Sequence, residues 1–150
     1  MLFRKATFKD VEAMHKLVNG YADQGLMLAR SRNILYETLR DFILAEEDGQ
    51  VVGAGALHLS WDELAEIRAM AVAPDKVKSG IGKQIVLELI EEAKQLGVKK
   101  VFTLTYQPGF FGKLGFTEIP KEELPHKVWK ECINCAKFPN CDETAMIRNL

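Results

Sequence analysis

Met70-Ala71-Val72-Ala73-Pro74-Asp75-Lys76-Val77-Lys78-Ser79-Gly80-Ile81-Gly82-Lys83 reads as the end of a strand, a turn of small and basic residues, and the start of a helix. Ala69 to Val72 are apolar enough for a strand buried on both faces, and Pro74 cannot donate a ladder hydrogen bond. Gly80 and Gly82 let main chain approach a ligand without a Cβ in the way. A helix start exposes free N–H groups and a partial positive charge, so Ser79 to Gly82 suits a pyrophosphate, with Lys76, Lys78 and Lys83 adding charge. The plainer alternative is a turn that merely opens a helix.

Glycine-rich turns serve several phosphate ligands, and spacing separates them. A Walker loop needs glycine where Val77 stands and Ser or Thr where Gln84 follows Lys83. The dinucleotide fingerprint needs a third glycine that Gly80-Ile81-Gly82-Lys83-Gln84-Ile85 lacks. What remains is V-x-P-x-x-x-x-x-G-x-G after a strand.

The chain of 150 residues fits one domain with a real core. Its 20 basic and 21 acidic residues nearly balance, which gives no electrostatic case for nucleic acid or an anionic membrane. No apolar run reaches membrane-span length, and Met1-Leu2-Phe3-Arg4-Lys5 turns polar too early for a signal peptide, so a cytoplasmic protein with reduced thiols is expected.

In chain order, Leu2 to Ala6 alternates as an edge or half-buried strand, and Thr7 with Asp10 forms a helix-start pair of capping-box type. Val11, Met14, Leu17 and Val18 keep helical spacing, with Gly20 as the stop and Asp23-Gln24-Gly25 as a turn. Leu26 to Arg32 reads as extended, which would project Arg30 and Arg32 together, and leads into a second helix over Asn33 to Arg40 capped by Asn33 or Ser31. Phe42 to Glu46 and Val51 to Leu59 are strands joined at Asp48-Gly49, a hairpin signal, and Leu64 to Val72 is the next strand. Ile81, Ile85, Leu89 and Ala93, flanked by Val86 and Ile90, mark a helix that packs on a sheet and stops at Gly97. Lys100 to Thr105 is a strand, Pro108 begins a short helix, and Leu114-Gly115-Phe116 closes it. This order predicts an α/β or α+β domain with a mixed sheet.

The glycine spacing resembles the acyl-CoA loop of the GNAT N-acetyltransferases, with Val77 where that family carries Arg or Gln. Phe110-Phe111-Gly112-Lys113-Leu114-Gly115-Phe116 resembles the family's F-Y-x-x-x-G-F signature, one helix and one strand further on. Leu28-Ala29-Arg30-Ser31-Arg32 and Glu66-Ile67-Arg68-Ala69-Met70-Ala71-Val72-Ala73-Pro74 look like the acetyltransferase domain of bacterial N-acetylglutamate synthases. The tail from Lys137 to Glu143 looks like their short single-domain relatives. The resemblance implies a mostly antiparallel central sheet flanked by helices. It implies one acetyltransferase domain over 1–150, in which 120–150 is a cysteine-containing extension with the last strand.

The resemblance also implies acetyl-CoA as co-substrate, gripped by Val77, Lys78, Ser79, Gly80, Ile81, Gly82 and Lys83, with Met70, Ala71, Val72 and Phe111 completing its site. Acetyl transfer to an amine needs a base, an oxyanion donor and an acid for the leaving thiolate. Glu66 matches the base position, a main-chain N–H near Met70 would hold the thioester oxygen, and Phe111 replaces the usual acidic tyrosine. Tyr106, a phenol five residues upstream, is the substitute acid; a packed aromatic, with departure of unprotonated thiolate, is the alternative. Glutamate carries two carboxylates, for which Arg30, Arg32 and Lys137 are the cations. His58 receives no role. Cys132, Cys135 and Cys141 with His126 have a metal-like spacing one cysteine short of a structural zinc site, so zinc stays uncommitted beside reduced thiols, and the site carries no metal ligand. Lys127, Trp129 and Phe138 could let the tail cover the substrate.

The function so implied is acetylation of an amino acid's α-amine, first of all that of L-glutamate, as in arginine biosynthesis. The alternatives are another small amine or a protein amine, or a non-catalytic CoA-binding regulatory domain. The partners are acetyl-CoA and a small acceptor, with homodimer formation open.

Overall fold

The computed structural model describes residues 1–124 and 143–150. Its elements are β1 (Leu2–Lys5), α1 (Val11–Ala22), α2 (Arg32–Glu37), β2 (Phe42–Glu47), β3 (Gln50–Trp61), β4 (Leu64–Val72), α3 (Ile81–Gln95), β5 (Lys100–Thr105), α4 (Pro108–Gly112), β6 (Thr117–Glu118) and β7 (Thr144–Asn149). The seven strands hydrogen-bond in the order β1-β2-β3-β4-β5-β7-β6. β4 and β5 run parallel; β1 with β2, β2 with β3, β5 with β7 and β6 with β7 run antiparallel. This is the mixed, mostly antiparallel sheet flanked by helices that the sequence predicts. The chain gathers into two compact units, Met1–Leu57 with Ile67–Glu92, and His58–Glu66 with Ala93–Leu150.

In the first unit, Val11, Met14 and Val18 of α1 and Leu35 of α2 pack on Phe42, Leu44, Ala54, Ala56, Ala69 and Ala71 of the sheet. The α3 stripe of Ile81, Ile85, Val86, Leu89, Ile90 and Ala93 is buried as its periodicity predicts. What seats α3 is a feature the periodicity does not reveal. A Cβ on Gly53 of β3 would lie 2.8 Å from Ile81 Cγ2, and one on Gly55 would lie 2.7 Å from Ile85 Cγ2 and collide with Met70 Sδ. The Asp48-Gly49 hairpin forms as expected, with left-handed φ of 52° and 78° and Glu47 paired to Gln50.

The Thr7–Asp10 pair caps a 3-10 turn, Phe8–Asp10, that precedes α1. The Asp10 carboxylate accepts from the Thr7 N–H at 2.8 Å and, doubly, from the Arg4 guanidinium at 2.8 and 2.9 Å. Arg4 also reaches Glu46 at 2.8 Å, so one cation joins β1, the turn before α1, and β2. The Arg4 guanidinium, working against burial and helped by Thr7, holds the Asp10 carboxyl down to about 2.

Gly20 does not stop α1, which continues to Ala22. The stop is Gly25, left-handed at φ 73°, with Gly25 N–H bonded to Ala22 O and Leu26 N–H to Tyr21 O. Gly97 ends α3 and Gly115 ends α4 by the same paired bonds and left-handed φ. α2 is shorter than predicted: Ser31 caps it, its Oγ accepting from Ile34 N–H, and it breaks at Thr38, whose hydroxyl bonds back to Ile34 O. A 3-10 turn, Leu39–Asp41, follows. β3 runs past the expected end to Trp61.

In the second unit, Leu64, Phe102, Leu124 and Ala145 form a core with Leu104, Ile119 and Ile147 against it. β6 is a strand of two residues, too short for any periodicity to announce.

Candidate active site

β4 carries an unusual backbone. Ala69 is left-handed at φ 56° although it has a Cβ and is buried, a conformation that costs a non-glycine residue of order 1–3 kcal/mol and collects at functional sites. Nothing in an alanine within an apolar run announces it. It directly precedes Met70, Ala71 and Val72, the stretch assigned to the co-substrate. Met70 lies over Gly55, and the Val72 carbonyl accepts from the Tyr21 hydroxyl at 2.5 Å. Burial raises the Tyr21 phenol above its ordinary range, which keeps it a donor.

Beyond β4, Ala73 N–H bonds Val52 O at 2.8 Å, and Pro74–Lys76 form a 3-10 turn. Lys78 (φ 70°) and Gly80 (φ 90°) are left-handed on either side of Ser79, and left-handed residues in such turns are a recurrent element of anion-binding main chain. The Ser79 hydroxyl donates to Lys76 O, fixing the turn. The first α-helical bond runs from Gln84 N–H to Gly80 O, so Ile81, Gly82 and Lys83 bring first-turn N–H groups to the same end. Val77, Lys78, Ser79, Gly80 and Lys83 are exposed. Lys76 is committed elsewhere, in a 2.6 Å ion pair with Glu47, so the charge expected of it at the loop is already partnered.

Arg30 and Arg32 stand in different surroundings. Arg30 is 9 % exposed, and its main chain is held on both sides by Asn19: Asn19 Nδ2 donates to Arg30 O and Arg30 N–H donates to Asn19 Oδ1, each at 2.9 Å. Arg32 is the first residue of α2 and forms a bidentate pair on the surface with Glu12, at 2.7 and 3.0 Å. Ser31, extended and acting as the cap, ends the strand-like run, and Arg32 already belongs to α2.

The second unit contains Glu66, Tyr106 and Phe111. Glu66 is half-buried on β4 and stands opposite Phe102 in the parallel ladder. Tyr106, half-buried, follows β5, where the Thr105 hydroxyl accepts from Gln107 N–H at 2.8 Å and turns the chain toward α4. Phe111 is 4 % exposed, with Phe110 and Phe116 edge-on at 5.0 and 5.2 Å. His58 is half-buried on β3. Lys137, His126, Lys127, Trp129, Phe138 and the three cysteines lie outside the described residues. Among the described residues, no group of three His, Cys, Asp or Glu side chains could hold a metal ion, and no helix is long and apolar enough to cross a membrane.

The chain matches the acetyltransferase (GNAT) family over residues 11–116. It is 41 % identical to an uncharacterized N-acetyltransferase, CT2212, of Chlorobaculum tepidum, covering 98 % of this chain and 95 % of that one. It is 40 % identical to an amino-acid acetyltransferase of Mycobacterium tuberculosis, over 85 % of this chain and 75 % of that one. Among solved structures, Rv2747 of Mycobacterium tuberculosis in complex with CoA and NLQ superposes with a TM-score of 0.86 at 35 % identity, covering all of this chain and 99 % of that one. N-acetylglutamate synthase of Neisseria gonorrhoeae, complexed with coenzyme A and N-acetyl-glutamate, superposes at 0.89 with 26 % identity, covering 99 % of this chain and 35 % of that longer one. The family match over residues 11–116 and the relatives at 40–41 % identity agree: the chain belongs to the GNAT acetyltransferases, acetyl-CoA-dependent enzymes that acetylate amines.

Proposed function

We propose that this enzyme acetylates the α-amine of L-glutamate in the cytoplasm, the chemistry that opens arginine biosynthesis. The relatives named amino-acid acetyltransferase support an amino acid as acceptor. The observation that supports glutamate is Arg30, 9 % exposed with its main chain tied on both sides, because a guanidinium presents a planar fork of donors that matches a carboxylate. Arg32 joins it only by releasing Glu12.

In this reading the pyrophosphate of CoA lies on the main-chain N–H groups of Val77 to Lys83, and its pantetheine runs beside Met70, Ala71 and Val72. Glu66 takes a proton from the acceptor's ammonium, directly or through water. The freed nitrogen attacks the thioester carbonyl carbon, and the N–H of Met70, the residue after left-handed Ala69, holds the oxyanion. Collapse breaks the C–S bond, the CoA thiolate takes its proton from Tyr106, and the second proton shed by the acetylated nitrogen returns the Tyr106 phenolate to a phenol. Phe111 supplies an apolar wall where the family's acid stands.

Release of free CoA with a panel of amino acids tests the reading. Arg30→Ala should raise the KM for glutamate and cost about 1.5–3 kcal/mol in kcat/KM, with acetyl-CoA affinity unchanged. Glutamine, without the side-chain charge, should be a poorer acceptor than glutamate. Comparable kcat/KM for glutamate, glutamine and leucine would defeat the glutamate assignment.

A further inference from the structure

We propose that Asn19 is a positioning residue that sets the place of Arg30 and through it the preference for an acidic acceptor; this rests on the reading of Arg30 given above. Arg30 lies between α1 and α2, in a stretch that belongs to neither helix nor strand. There the Asn19 carboxamide does the work of a neighbouring strand, donating to Arg30 O and accepting from Arg30 N–H at 2.9 Å each. Asn19 Nδ2 also donates to His15 O at 3.0 Å, which locks the amide against its own helix. Only a primary amide offers a donor and an acceptor side by side, and only one as short as asparagine does so this close to the helix axis. Asparagine is a poor helix former because its side chain competes for nearby main chain. At position 19 that tendency is turned outward, onto the residue whose guanidinium must meet the acceptor.

An arginine held at its N–H and its carbonyl starts its reach from a fixed Cα, so the energy of its carboxylate contact is not lost to ordering a mobile segment. Release of that hold should act on the acidic acceptor alone. Asn19→Ala is therefore expected to raise the KM for glutamate about 10- to 100-fold, the scale of an ångström-sized misplacement. The KM for acetyl-CoA should stay at its wild-type value, and the advantage of glutamate over glutamine should shrink. Since Asn19 acts through Arg30, the double variant Asn19→Ala/Arg30→Ala should lose no more than Arg30→Ala alone.

Asn19→Asp keeps the size of the side chain and its acceptor but loses the donors to Arg30 O and His15 O, so it serves if the alanine variant does not fold; the same KM pattern is expected of it. A glutamate KM that stays at wild type in both variants while Arg30→Ala raises it would overturn the inference and leave the Arg30 reading standing. An equal loss for glutamate and glutamine, or a full additive loss in the double variant, would overturn it as well by showing a structural effect only. If Arg30→Ala itself left glutamate kinetics unchanged, the Arg30 reading would fall and the inference with it.

Discussion

Glu66→Gln removes a carboxylate and keeps its shape. If Glu66 is the base, turnover should fall by about 10²–10⁴-fold, most at lower pH, where the acceptor's ammonium cannot lose its proton unaided, and least at high pH. A pH–rate profile of the variant that overlays the wild type at every pH would remove Glu66 from the mechanism. At this scale residue type is legible in the sequence and environment is not. Arg30 and Arg32 are alike as letters; burial and an amide clamp set one apart, while an exposed glutamate engages the other. Ala69 is invisible for the opposite reason, because its peculiarity lies wholly in a dihedral angle that no side chain advertises.

The turn between β4 and α3 is where main chain, not side chain, is asked to bind. Gly82→Asp, which sets a carboxylate beside the first-turn N–H groups of α3, should weaken CoA binding in calorimetry by at least about tenfold, because like charge is placed against the phosphates. Unchanged affinity would move the pyrophosphate elsewhere. Gly55→Ala tests the seat of the same helix: its methyl group meets Met70 Sδ and Ile85 Cγ2, and overpacking of this kind costs about 1–3 kcal/mol in denaturant unfolding. The elements themselves are largely legible, since apolar periodicity marks the buried stripe of α3, Asp48-Gly49 marks the hairpin, and Gly97 and Gly115 mark two helix ends. Gly20 misleads because helix glycine is merely costly, whereas Gly25 sits where the left-handed stop requires it.

Across the first unit, acid stability should depend on the Arg4–Asp10–Glu46 cluster. The Asp10 carboxyl is held at about 2, below its unfolded value. A group depressed in this way adds stability that is complete above the unfolded value of about 4 and vanishes as pH falls through about 2. Asp10→Asn should therefore cost about 2–3 kcal/mol at pH 7 in urea unfolding, and the gap from wild type should close near pH 2. A gap independent of pH would show that the ion pair is not its source. Architecture is legible at this scale through two ordered motifs and the alternation of elements, but the sheet order is not, because β6 has two residues and β7 returns from far along the chain to lie between it and β5. Among the described residues, the outermost strands have a consequence of their own. β1 is four residues long, with Arg4 and Lys5 tied into ion pairs, and β6 is two. A long bare sheet margin recruits extended segments of other molecules into fibrils, and short or charged margins give such segments too little template. With a net charge of only −1, mutual repulsion does little to keep copies apart. At these two margins the brevity of the strands is therefore what limits recruitment of other chains.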